Sequence, residues 1–280
     1  MRSSPNSAVE GAVRQRILRR LVIGLAVLIV VVFGGAYYLN HSSPGHPSAL
    51  VPSDSTLRVD WLYFYPARPP SPARAVIVLL GNDVGFRERH QDMAWKLSGE
   101  GCAVIGVDVA RFLGTLPSAE PQRDSAFGVA MTDLISRTRH ELAADSLPVV
   151  LGGHSFGAEL ALWIAWRHPP KRLVGVLALN SRSSGHLFIT PADWLNKEAT
   201  GPWSFSTVQA VREIDPRTRI ALVRGANDPF RRHDPEFIVA GGQRLQRFEI
   251  PLAGHGLKSM LIAGPLISRA VRFLTDRIGP

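Results

Sequence analysis

The stretch GGHSFGAEL, residues 152–160, decides how the rest of the chain is read. Gly153, Ser155 and Gly157 within it spell G-x-S-x-G. That pattern recurs by chance in a chain with 25 glycines, so its surroundings must give it meaning. The apolar run VVL leads in and FGAELALWIAW leads out, which puts Ser155 on a turn from strand to helix. On such a turn the two backbones crowd the positions two before and two after the serine. Gly153 and Gly157 fit there. The serine hydroxyl is lifted above the sheet, and the Phe156 N–H at the helix start faces the place where an oxyanion would form.

A serine hydroxyl needs a base to become a nucleophile, and the base needs an acid to orient it. After the apolar run IALV comes RGANDPF, which puts Asp228 in a tight loop. After RFEIPL comes AGHGL, with His255 between two glycines. The order Ser155, Asp228, His255 suits a triad at the carboxyl ends of successive strands. Asp234 and Asp215 are rival positions for the acid. A second oxyanion donor belongs in the turn GNDVG after Ala75–Leu80, at the amides of Asn82 and Asp83. Asp108 and Arg111 follow the next strand, and Glu159 shares a helix face with Ser155.

Working outward, apolar runs alternate with helical stretches. Strands are expected at 57–65, 75–80, 103–107, 148–151, 173–179, 220–223 and 248–252. Helices are expected up to about 97 and at 125–144, 156–167 and 263–278. The helix at 125–144 has Phe127, Val129, Leu134, Ile135 and Leu142 as its inner positions. Short strands buried on both sides and separated by helices imply an α/β fold with a mostly parallel sheet. Residues 183–215 are expected to form a cap, with Phe188, Trp194, Trp203 and Phe205 lining it.

Residues 21–39, LVIGLAVLIVVVFGGAYYL, carry no charge, and as a helix would span roughly 28 Å. Residues 1–20 hold five arginines against Glu10, whereas the first arginine beyond the run is Arg58. This asymmetry predicts a cytoplasmic tail, a transmembrane helix at 21–39 and a domain outside the cytoplasm. Residues 40–56 read as a Ser/Pro-rich linker, and 57–280 as one soluble domain. The formal charge of +9 is unevenly placed, +4 in residues 1–20 and +5 in the rest, and the mildly basic body has no dense Lys/Arg run, which argues against nucleic acid as a partner. The single cysteine, Cys102, excludes an intrachain disulfide and a cysteine-cluster metal site. No P-loop, H-E-x-x-H or dinucleotide fingerprint is present, so no cofactor or metal is expected.

GNDVGF (81–86), GVDVARF (106–112), GHSFGAE (153–159) and NSRSS (180–184) resemble the motifs of the VirJ/AcvB-like branch of the α/β-hydrolases across roughly 75–275. The first departs at Asn82 and Val84, where glycines are usual, while Asp83 and Gly85 match. The resemblance implies an α/β-hydrolase fold and an envelope-located serine hydrolase cleaving a carboxylic ester. In some members the substrate is aminoacyl-phosphatidylglycerol. It implies that Asp83, Asp108 or Glu159 meets an aminoacyl ammonium and that Arg111 or Arg182 meets a phosphate. Members are also linked to secretion-dependent virulence, so an envelope-anchored module that binds a protein partner is the alternative.

Overall fold

The computed structural model describes residues 15, 18–28, 46, 48, 59–68, 73–116, 123–189, 197–201, 203–261 and 263–276. The chain divides into two units, Met1–Pro44 and Gly45–Pro280. In the first, residues 18–28 are helical with exposed side chains. Residues 29–39 of the expected transmembrane run lie outside the described residues. Among the described residues no helix is long and apolar enough to cross a membrane.

The second unit is built on a seven-stranded sheet of order β1-β3-β2-β4-β5-β8-β9. Its strands are β1 (Leu62–Tyr65), β2 (Ala75–Leu80), β3 (Cys102–Val107), β4 (Val149–His154), β5 (Leu173–Leu179), β8 (Arg219–Gly225) and β9 (Leu245–Ile250). β1 runs antiparallel to β3 at the edge, and the other pairings are parallel. The continuous apolar runs follow from burial on both faces. Val76, Val78 and Leu80 of β2 enter one core, while Ala75, Ile77 and Leu79 enter the other. On the first face lie α3 (Arg123–Glu141), α4 (Phe156–Arg167) and α6 (Asp234–Gly241). On the second lie α1 (Glu88–Gly99), α7 (Leu257–Leu261) and α8 (Gly264–Thr275). Short α2 (Val109–Gly114) follows β3.

Strand order reverses between β2 and β4, because the chain steps from β2 to β3 on one side and from β4 to β5 on the other. In open α/β sheets, ligands bind at the carboxyl ends of the strands beside such a switch point. Ser155 follows β4, and the GNDVG turn follows β2.

Several expectations shift. The first strand begins at Leu62, and the last occupies Leu245–Ile250 rather than 248–252. On α3 the inner row is Phe127, Met131, Leu134, Ile135 and Thr138, all buried, whereas Val129 is 63% and Leu142 42% exposed. The phase explains the correction: Val129 is two residues from Phe127 and faces away, and Leu142 lies beyond the helix end. The expected cap region contains a two-stranded ribbon, β6 (Ser184–His186) with β7 (Ser204–Ser206), followed by α5 (Thr207–Glu213). Phe188, Trp203 and Phe205 there are half-buried. Trp194 lies outside the described residues. His46, in the segment expected as free linker, stacks on Trp95 of α1 and meets Asp92 at 3.0 Å.

Candidate active site

Ser155 has φ 54° and ψ −121°, a conformation that costs a residue with a side chain of order 1–3 kcal/mol. The flanking glycines make it tolerable. A Cβ on Gly153 would stand 2.3 Å from the Gly157 carbonyl, and one on Gly157 would stand 2.2 Å from the Gly81 oxygen. The second contact shows that the turn after β2 packs directly on the start of α4. Asn82 and Asp83 follow Gly81 in that turn.

His255 Nε2 lies 2.9 Å from Ser155 Oγ, and its Nδ1 lies 3.3 Å from both oxygens of Asp228. Of the three aspartates weighed from sequence, Asp228 is the one beside His255. Asp215 is exposed and paired with Arg217. Asp234 is buried and holds Arg224 at 2.9 Å and Arg247 at 3.0 Å. Asp228 is itself buried, accepting the Phe230 N–H at 2.9 Å and Arg224 Nη1 at 3.0 Å. Burial pushes its carboxyl upward. The hydrogen bond to His255, the Arg224 charge and the Phe230 amide outweigh that and hold it below the ordinary carboxylate range.

Sequence reasoning missed three residues that support this alignment. Arg224, fully buried, uses all its nitrogens: Nη1 on Asp228, Nε on Asp234, and Nη2 on the Ser181 carbonyl at 2.7 Å. Asn180, at φ 51°, donates to the His255 and Gly254 carbonyls and accepts the Gly225 N–H. His154 Nε2 lies 2.7 Å from the same His255 carbonyl and donates to it. The loop carrying His255 is thus gripped by its backbone from two neighbouring strands. A charged residue inside the apolar run IALVRG was the available signal for Arg224. His154 and its ring neighbour His90, 6.0 Å away, are both buried. Burial lowers the pKa of His154 to about 4, with the nearby His255 adding to it, and that of His90 to about 3.

Phe156 is the first residue of α4, so its N–H has no intrahelical acceptor. Asn82 and Gly85 close a tight turn through a 3.0 Å backbone hydrogen bond, with Gly85 at φ 97°. A Cβ on Gly85 would meet the Asp108 carboxylate at 2.6 Å, so Asp108 packs against this turn. Asp108 also caps α2 through the Arg111 N–H, and Arg111 pairs with exposed Asp60 at 2.7 Å. Glu159 and Arg182 are fully buried against each other, with contacts of 2.6 and 2.9 Å. Arg182 also donates to the Lys197 carbonyl and accepts from Thr207 Oγ1 through its own. They join α4 to the cap region. Among the described residues no cluster of His, Cys, Asp and Glu could hold a metal ion.

Known structures share this architecture. MenH from S. aureus is 14% identical with a TM-score of 0.54, over 76% of this chain and 98% of its own. The Pyrococcus furiosus esterase Pf2001 is 14% identical with a TM-score of 0.53, over 74% and 84%. TT1662 from Thermus thermophilus is 16% identical with a TM-score of 0.53, over 77% and 94%. At these identities the likeness is one of fold, and the fold is that of the α/β-hydrolases. No curated protein matches the sequence. The family model described as bacterial virulence protein (VirJ) matches residues 74–242. That span covers more than half of the sequence, and the chain belongs to the VirJ family.

Proposed function

We propose that the protein is a serine hydrolase that cleaves a carboxylic ester. The observation that carries the reading is the single line of contacts from Asp228 through His255 to Ser155 Oγ on a strained strand-to-helix turn. In this reading Ser155 attacks the acyl carbonyl while His255 Nε2 takes its proton. Asp228 holds the imidazolium, and the amides of Phe156 and of Asn82 or Asp83 stabilise the oxyanion. His255 returns the proton to the leaving alcohol, and water releases the acid by the reverse sequence.

The substrate we propose is lipid-derived, an aminoacyl ester of phosphatidylglycerol, which the family motifs support. Residues 21–39 would anchor the chain in the bacterial inner membrane with the hydrolase domain in the periplasm, as the N-terminal arginines favour. A second reading, an anchored module that binds a protein partner, is favoured by the family's description as a virulence protein. Incubation with a fluorophosphonate and with aminoacylated lipid extracts separates the two. Labelling and lipid hydrolysis support the hydrolase, while neither occurring supports the binding module. A periplasm-dependent reporter fused after Pro280 tests the orientation and should be active.

A further inference from the structure

The parallel strands gather charge where they begin as well as where they end. Arg74 stands just before β2, Arg172 just before β5, and Arg217 and Arg219 where β8 starts. All four line one cleft of about 640 Å³. It lies at the amino ends of the strands, one strand length away from Ser155, roughly 20 Å for six residues. Asp276, at the end of α8, is the one acid among the residues lining it.

The partners of these arginines leave charge uncompensated. Arg219 donates to the carbonyls of Phe273 and Asp276, which orient the guanidinium without neutralising it. Arg217 is matched by Asp215. Arg74 Nε is buried with no hydrogen-bond acceptor among the described residues, and its guanidinium meets the buried, neutral Cys102 thiol, which orients it without neutralising it. Arg172 holds φ 64°, a region that residues with side chains rarely occupy. Counting Asp276 and Asp215 against the four arginines leaves an excess of two positive charges. Behind the cleft lies buried Arg139, which donates to the Lys171, Asp145 and Leu147 carbonyls. Burial lowers its pKa, Asp145 opposes that, and the like charge of Arg172 adds to it. Like charges collected in a concave wall focus a field that an anion relieves.

We propose that this cleft binds a multiply charged phosphate group, with Arg74 and Arg172 as its principal donors. A guanidinium fork matches phosphate oxygens in pairs, and the charge excess suits a dianion or diphosphate better than a single carboxylate. The same chemistry is offered by a soluble phosphate compound and by a lipid headgroup. The proposal is independent of the hydrolase reading, because none of these residues approaches Ser155.

The test is calorimetric titration of the full chain in detergent with inorganic diphosphate. A parallel arm measures flotation of the chain with vesicles containing phosphatidic acid, whose headgroup is a phosphomonoester, against phosphatidylcholine vesicles. Saturable binding in either arm is expected, falling with added salt. It should weaken at least about tenfold in Arg74→Gln/Arg172→Gln. Arg172→Gln alone, at an exposed position, guards against misfolding and should give a partial loss. Binding to diphosphate assigns a soluble ligand, and vesicle binding alone assigns a headgroup. Hydrolysis of a soluble ester by the double variant should be unchanged. No saturable binding in either arm, or equal binding by the double variant, overturns the proposal.

Discussion

Arg182 and Arg224 lie on or just beyond neighbouring strands, are both fully buried, and both hold carboxylates. Their surroundings differ in one respect. Arg182 pairs with Glu159 and ties α4 to the cap region through the Lys197 carbonyl. Arg224 divides its charge between Asp234 and Asp228, and Asp228 also faces His255. The first pair is a strut. The second sets the electrostatics of the acid in the proposed triad. Identical chemistry therefore has different consequences according to whether a partner is shared with the reacting groups.

The two aspartates on Arg224 give the sharpest test of that difference. Asp228→Asn should lower kcat for a soluble ester by about 10⁴, because the histidine loses its orienting and stabilising anion. Asp234→Asn should lower kcat far less, since Asp234 touches the arginine and not the histidine. Equal losses would remove the distinction between them.

The arginines themselves come next. Arg224→Gln leaves two carboxylates buried without their shared charge, and unfolding in urea should show a loss of at least about 3–5 kcal/mol. The acidic limb of kcat/KM should also move to higher pH, because Asp228 loses a charge that favours its ionised form. Arg182→Gln should destabilise by about 3–5 kcal/mol but leave that limb in place. A shifted limb in Arg182→Gln, or an unshifted one in Arg224→Gln, would break the comparison.

A smaller effect is expected from the buried histidines. Their folded pKa values, about 4 for His154 and about 3 for His90, lie below the ordinary value of 6.5. The unfolded chain therefore binds more protons as pH falls. Stability from keeping them neutral is complete above about pH 6.5 and is lost progressively toward the folded values. His90→Gln should flatten the decline in urea stability between pH 7 and pH 4.5. A decline as steep as the wild type's would show that these rings do not govern it.

Much of the fold was legible because both faces of the sheet are covered, so β2, β4, β5 and β8 read as continuous apolar runs. The placement of Ser155 and Asp228 was legible for a related reason, since each comes just after such a run, while His255 stood out between two glycines after the mixed strand β9. The rest depended on distance in the chain. Arg224 looks like an interruption of a strand until Asp228 and Asp234 are seen around it. Glu159 and Arg182 look available until they meet across 23 residues. The three-residue strands β6 and β7, SGH and SFS, are too short and polar to carry a periodic signal. Val129 shows that an apolar residue within a helix says nothing of its face until the phase is fixed.

The central claim is that Ser155 is the nucleophile, activated by His255. Intact-mass measurement after fluorophosphonate treatment tests it most directly. The wild-type protein should gain the mass of one probe, with the adduct mapped to Ser155 by peptide analysis. Ser155→Ala should gain none, and His255→Ala should label slower by several orders of magnitude, while both keep the wild-type unfolding transition. A probe mass retained in Ser155→Ala, or a folded wild-type protein that never labels, would contradict the account.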